Sequence, residues 1–368
     1  MNIVLTGGGT GGHIYPLLAL IPDLKKHFDN IYFIGSGGME CRIVPQYQIP
    51  CFTVQTVKFS RSDMLKNIKI PFALSKAVSH SKKLLEILKP DVILSKGGYA
   101  ALPQVIAGAK MKVPVVCHES DLTLGLSNKI GKLLGATILT AHEETAKTNK
   151  DFMYVGLPLR DELFEISRCE AMEKLKKQGA RFSGNPVLLV LGGSLGARKF
   201  NNLITENLDK LTEKYFVLHI TGKQGGAAKP QKGYFAIEYA SDMASCYAAS
   251  DIVLSRAGAT AVSEISALMK KAVFIPLSQK VSRGDQSLNA EIAKKHGAFV
   301  LSEDDLTIEL LLSALNACMC APPMRAVSPD ARKKIVSVLV EKAKEHENKI
   351  KPPLLPQKSK SSTNEIKV

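Results

Sequence analysis

A chain of 368 residues, 45% hydrophobic and 23% charged, has a globular composition and exceeds the length at which a single core stops growing, so two domains are expected. Its formal charge of +15 directs it toward anionic partners, while the absence of tryptophan and of any basic run interleaved with stacking residues argues against a nucleic-acid binder. The seven cysteines show no paired C-x-x-C spacing, which fits a reducing compartment, and there is no apolar run of about 18 residues to span a membrane.

The chain opens with the apolar strand Ile3-Val4-Leu5, a glycine-rich turn from Gly7 to Gly12, and an amphipathic stretch from Ile14 to His27. Ile31 to Ile34, Asp91 to Leu94 and Val113 to Cys117 read as further strands with helical patterns between them, the alternation of a parallel sheet covered by helices. Glycine and proline interrupt the pattern at Gly156-Leu157-Pro158-Leu159-Arg160, which marks a linker. At Val187 to Leu191 the plan restarts with a strand that runs into Gly192-Gly193-Ser194-Leu195-Gly196-Ala197-Arg198. A second echo follows, since Asp91-Val92-Ile93-Leu94-Ser95-Lys96-Gly97-Gly98 resembles Asp251-Ile252-Val253-Leu254-Ser255-Arg256-Ala257-Gly258 in residue type and order. A last helix is expected from Ser328-Pro329-Asp330, with Ser as N-cap and Pro in the first turn. The expected organisation is a first α/β domain over 1–157, a second over 158–347 that includes the last helix, and a mobile tail over 348–368.

A glycine turn feeding a helix leaves backbone N–H groups unpaired beside the positive end of the helix dipole, which makes a phosphate site. Gly7, Gly9 and Gly12 satisfy G-x-G-x-x-G, but the strand from Ile31 to Ile34 ends in Gly35-Ser36-Gly37-Gly38 with no acid to hold a ribose, so a dinucleotide oxidoreductase is disfavoured. The acid appears in the second half, where Glu264 lies one turn into the stretch that follows Arg256-Ala257-Gly258. Ser194, Arg160 and Gln286, the last after a basic loop with Lys280 and Arg283, are placed to converge with it on one cleft. No D-x-D occurs to hold a metal-bound diphosphate, so helix dipoles and arginine are left to carry leaving-group charge.

Gly8-Gly9-Thr10-Gly11-Gly12-His13, Gly97-Gly98-Tyr99, His118-Glu119, Leu126-Ser127-Asn128-Lys129, Gly192 to Arg198 and Ser255 to Ile265 together resemble the motifs of the MurG-type peptidoglycan N-acetylglucosaminyltransferases, over residues 1 to about 345. The resemblance implies the GT-B fold, two Rossmann-like domains with an interdomain cleft, and inverting transfer of N-acetylglucosamine from UDP-N-acetylglucosamine to a polyprenyl-diphosphate-linked muramyl peptide, lipid I to lipid II, with no cofactor and no essential metal. It implies that Glu264 holds the ribose, that backbone near Ala240 reads uracil, and that Ser194 and Arg160 face the diphosphate. Ala259, Thr260, Ala261, Val262 and Ser263 with Gln286 would line the nucleotide sugar, and Thr10, Gly11 and Gly12 would contact it from the first domain. The family has Gln-Asn after His-Glu, whereas this chain has Ser120-Asp121. An ionised Asp only accepts hydrogen bonds where an amide also donates, so contacts at Asp121 are expected to be rearranged.

His13 follows the first glycine turn and is the leading candidate for the base that takes the acceptor's hydroxyl proton, with Glu119 as its rival and Tyr99 as a group that orients the acceptor. From Lys58 to Lys83 seven basic residues (Lys58, Arg61, Lys66, Lys69, Lys76, Lys82, Lys83) face one acid, Asp63, with Phe59, Met64, Leu65, Ile68, Ile70 and Phe72 among them. That pattern reads as a peripheral anchor on the anionic, cytoplasmic face of the cell membrane, where wall-synthesis and division proteins are potential partners. The alternatives are a related GT-B enzyme, such as a glycolipid synthase or a UDP-N-acetylglucosamine 2-epimerase, and a catalytically dead scaffold.

Overall fold

The structure, a computed structural model, describes residues 1–56, 70–192, 198–222, 231–278, 284–325 and 330–350. Its frame is two parallel sheets. The first holds β1 (Asn2–Thr6), β2 (Asn30–Gly35), β3 (Cys51–Thr53), β4 (Val92–Ser95), β5 (Val115–Glu119), β6 (Thr137–Thr140) and β7 (Phe152–Tyr154), in the order β3-β2-β1-β4-β5-β6-β7. The second holds β8 (Val187–Leu191), β9 (Phe216–Ile220), β10 (Tyr234–Ile237), β11 (Ile252–Ser255), β12 (Lys271–Phe274) and β13 (Phe299–Val300), in the order β10-β9-β8-β11-β12-β13.

Both faces of each sheet are covered, so the central strands are continuous apolar runs. Side-chain alternation divides each run between two cores: Val187, Leu189 and Leu191 enter one cluster, Leu188 and Val190 the other. Ile3 and Leu5 part from Val4 in the same way in the first sheet.

Strand order reverses between β1 and β4 and again between β8 and β11, and ligands of such sheets bind beyond the carboxyl ends of the strands at that reversal. Register sharpens the repeat seen in the sequence. Thr6 pairs with Ser95 and Leu191 with Ser255, and the next backbone N–H on each side, from Lys96 and Arg256, donates to Thr6 O and Leu191 O. In the first half this sets the two glycine turns side by side; in the second, residues 193–197 of the turn after Leu191 lie outside the described residues.

The last helix, Ala331–Ile350, corrects the expected domain plan. Its stripe of Ile335, Leu339 and Ala343 packs with Ile3, Leu5, Val92 and Leu94, so it completes the first domain's core and not the second's. Arg332 at its start reaches Asp23 in the first domain at 3.5 Å and Asp161, just past the linker, at 2.6 Å. The proposed cap at Ser328-Pro329 and the tail beyond residue 350 lie outside the described residues.

Candidate active site

The first glycine turn runs from Thr6 into the helix Gly11–Leu18. Gly9 has φ +83, and a Cβ there would meet the Tyr99 ring at 3.0 Å, so Tyr99 lies directly on the turn. The neighbouring Gly35 to Gly38 turn is occupied by Glu40, a residue the sequence reading passed over: its Oε1 accepts from Ser36 N–H at 2.7 Å and Gly38 N–H at 3.0 Å. Burial opposes its charge, but these donors hold its carboxyl below the usual value. The turn where a dinucleotide fold would carry its ribose acid is thus filled by a structural carboxylate.

His13 stands in the first turn of that helix, with Nδ1 3.1 Å from Gly8 O and 3.2 Å from Thr10 Oγ1. A carbonyl only accepts, so Nδ1 carries the proton and Nε2 is left as the basic nitrogen. A Cβ on Gly98, whose φ is +78, would come 3.3 Å from His13 Cε1, so the ring rests on the second glycine turn. Burial, reinforced by the Lys96 ammonium, pushes the His13 pKa down to about 4, and the ring is neutral at pH 7.

Glu119 ends β5 with both oxygens engaged. Oε1 accepts from Ser120 and Asp121 N–H at 2.9 and 3.0 Å, and Oε2 from Gly125 N–H and Asn128 Nδ2 at 2.8 and 2.9 Å. Those four donors make it the keystone of the 120–125 loop and occupy its lone pairs, which weighs against Glu119 and for His13 as base. The loop reaches the second domain: Asp121 Oδ1 accepts from Asn289 Nδ2 at 3.2 Å, and Thr123 Oγ1 donates to Asp285 Oδ1 at 2.8 Å. Burial, then the nearby Glu119, raises the Asp121 pKa.

Across the cleft the helix Ala259–Ala267 starts at Gly258. A Cβ on Gly12 would lie 3.2 Å from Thr260 Oγ1, so the two helix starts face one another. Neither is capped by a side chain. Their backbone amides and dipole ends are available to an anion.

Glu264, 8% exposed, accepts from Tyr247 OH at 2.9 Å; burial raises its pKa and Arg160 opposes that. Arg160 stacks on Tyr15 at 4.4 Å, and Tyr15 OH shares a hydrogen bond with Tyr239 OH, next to the buried Ala240. Gln286 Oε1 accepts from Leu277 N–H at 2.9 Å. Val262 is buried in the second domain's core, so only its backbone is available to a sugar. Val262 and Ser263 also line a cavity of about 170 Å³ with His142, Leu157, Leu159 and His296. Ser194, Lys280 and Arg283 lie outside the described residues. The sequence reading missed Tyr15, Tyr239 and Tyr247, because phenols distributed over three elements leave no spacing signal.

Residues 3–139 match the glycosyltransferase family 28 N-terminal domain and residues 187–348 the glycosyltransferase family 28 C-terminal domain. Over 322 residues, 86% of this chain and 90% of the relative, the sequence is 40% identical to the UDP-N-acetylglucosamine--N-acetylmuramyl-(pentapeptide) pyrophosphoryl-undecaprenol N-acetylglucosamine transferase of Clostridium botulinum (strain Langeland / NCTC 10281 / Type F). The chain belongs to this MurG family. A Bacillus thuringiensis (strain Al Hakam) MurG-family transferase, numbered 3, is 41% identical over 318 residues, 84% of this chain and 89% of its own. Acinetobacter baumannii MurG superposes with a TM-score of 0.68 at 22% identity, covering 92% of this chain and 99% of that one. UDP-GlcNAc 2-epimerase from Neisseria meningitidis gives 0.64 at 15% identity, covering 93% and 100%. These structural likenesses show the GT-B fold shared by the MurG family and the epimerase, and the sequence identity separates the two. The chain is a glycosyltransferase.

Proposed function

We propose that this MurG-family enzyme moves N-acetylglucosamine from UDP-N-acetylglucosamine to the 4-hydroxyl of the muramyl sugar on an undecaprenyl-diphosphate-linked pentapeptide, with inversion. The reading is carried by the two uncapped helix starts that face each other at Gly12 and Thr260 beside a neutral histidine. His13 Nε2 accepts the hydroxyl proton as the acceptor oxygen bonds to the anomeric carbon and the carbon–oxygen bond to UDP breaks. The departing diphosphate meets the amides at Ala259, Thr260 and Ala261, with Arg160 and Ser194 contributing charge and a hydroxyl. Glu264 accepts from the ribose hydroxyls, backbone at Ala240 contacts uracil, and Ser263 and Gln286 with the Val262 backbone line the sugar. Thr10, Gly11 and Gly12 close the site from the first domain, Asp121 borders the sugar, and Tyr99 orients the acceptor.

The acceptor's lipid keeps it in the bilayer, so the enzyme must come to the surface. Among the described residues no helix is long and apolar enough to cross a membrane. The anchor expected at 58–83 is described only from residue 70. There, the helix Ile70–Leu88 buries Ala77, Ser81, Leu85 and Leu88 and turns Lys76, Lys82 and Lys83 outward, with Phe72 81% exposed. The helix Leu126–Leu133 adds Leu126 and the 85% exposed Leu133 beside Lys129 and Lys132. These exposed apolar side chains among lysines support the reading of a peripheral protein at the cytoplasmic membrane face.

The deciding experiment supplies UDP-N-acetylglucosamine and a lipid I analogue to the purified protein. UDP release matched by disaccharide formation is expected, and UDP release that no acceptor accelerates would overturn the reading.

A further inference from the structure

Lys96 follows β4, and its backbone N–H donates to Thr6 O at 2.9 Å, which sets it against the first glycine turn. A Cβ on Gly7 would lie 3.3 Å from Lys96 Cβ. The residue is only 3% exposed, and its ammonium donates to Ser120 Oγ. Taking an ammonium out of water costs several kcal/mol unless opposite charge balances it. Two carboxylates supply that charge, Glu119 and Asp121. Glu119 contributes the larger share and Asp121 the smaller, and Ser120, which takes the ammonium's hydrogen bond, lies between them in the chain. Asp121 also takes the Asn289 hydrogen bond from the second domain.

The charged and titratable groups around this pair are His13, His118, Glu119, His142 and Asp285. His118 donates from Nε2 to Gly156 O at 2.8 Å and is held neutral by burial and by Lys96, so it adds no charge. Glu119 and Asp285 repel a charge on Asp121, and Lys96 is the cation among these neighbours that favours it. Burial brings the Lys96 pKa down to about 8, partly restored by the two carboxylates, so it is mostly charged at pH 7.

We propose that Lys96 is a positioning residue for glycosyl transfer: it donates to Ser120 and, with the carboxylates of Glu119 and Asp121, forms a charge-compensated unit that holds the 120–125 loop against the second domain and sets a positive charge beside His13. The second half rests on the reading of His13 as base; the first does not. The Ser120-Asp121 pair is then one end of a unit whose other end is a cation on the neighbouring strand, and neither end is replaceable alone. Lys96→Met keeps the length of the side chain and removes the cation, Asp121→Asn removes one of its two carboxylates, and the double variant removes one charge of each sign at close volume.

The test is a double-mutant cycle in kcat/KM for UDP-N-acetylglucosamine with a lipid I analogue, paired with an NMR titration of the His13 ring. Each single change is expected to lower kcat/KM by about tenfold or more, and the double variant to lose at least about tenfold less than the product of the two. In Lys96→Met the His13 titration moves to higher pH, because a neighbouring positive charge is gone. A packing role alone would leave that titration where it was. Additive losses overturn the coupled unit, an unmoved His13 titration overturns the electrostatic role, and full turnover by His13→Ala overturns the base assignment.

Discussion

Individual side chains in this protein titrate according to burial, and two consequences are measurable. The His13 pKa of about 4 means that the neutral ring persists well below the usual histidine range. The acid limb of kcat/KM, read on an acceptor analogue that does not itself titrate, is therefore expected near pH 4 to 5, and a limb near pH 6.5 would remove His13 as the base. His219 bears on stability alone, since it is fully buried between Tyr234 OH and Asn201 Oδ1 and burial lowers its pKa to about 4. Its folded pKa is depressed, so between about pH 6.5 and 4 the unfolded chain binds more protons and stability falls with falling pH. The linkage amounts to about 3 kcal/mol across that window. Urea titrations at a series of pH values should show a slope to which buried His13 and His118 also add, and His219→Gln should lessen it by about that amount; an unchanged slope would assign the acid sensitivity elsewhere. Glu264 offers the matching test on the donor side. Removing its carboxylate should weaken UDP binding by about 1.5 to 3 kcal/mol in calorimetric titration, whereas unchanged affinity would take it out of the site. The places of His13 and Glu264 beside glycine turns and helix starts were legible, because such turns carry a local sequence signal. Lys96 and Glu40 were not, because nothing local distinguishes a buried charge from a solvated one until the elements around it are in place.

At the level of elements, what could be read from sequence depended on whether the signal was local. β1, β4, β8 and β11 were visible as apolar runs flanked by glycine, and the echo between the Lys96 and Arg256 segments anticipated a shared register. The destination of the last helix was not visible. Its apolar stripe at Ile335, Leu339 and Ala343 is plain in the sequence, but a stripe does not say which of two sheets it will cover. That choice is tertiary: the helix from Ile21 to Leu24 and the strands β1 and β4 leave a face that this stripe fills. Leu339 is fully buried there, so Leu339→Ala is expected to cost about 2 to 5 kcal/mol. The loss should appear as earlier exchange of β1 and β4 amides in hydrogen-exchange measurements, with β8 and β11 little changed. Earlier exchange confined to the second sheet would mean that the helix belongs with the second domain after all.

Over the whole molecule, the two domains are joined across the cleft by polar contacts of Asp121 with Asn289, Thr123 with Asp285, and Tyr15 with Tyr239. The substrates also differ in how they arrive, one dissolved and one held in a bilayer, and the surface of the first domain bears on the second. An amphipathic helix that packed all its apolar residues inward would leave a solvated basic face and nothing to insert. Ile70–Leu88 comes close to that arrangement, except that Phe72 projects from its first turn and Ile87 from its last. A neighbouring helix supplies Leu126 and Leu133 among lysines, and both helices pack against the one from Leu102 to Lys110, which places them on the same side of the first sheet. Binding is therefore expected to depend on lysines first and on a few inserted side chains second. Each basic residue near an anionic surface contributes about 1 kcal/mol, and the attraction fades as salt shortens the Debye length. Replacing Lys76, Lys82 and Lys83 with Glu should abolish cosedimentation with phosphatidylglycerol-rich vesicles, while turnover of a soluble acceptor analogue is preserved. Phe72→Ser should weaken vesicle binding by a smaller amount that salt does not change. Equal sedimentation of the triple variant and the parent protein would show that this face does not meet the membrane.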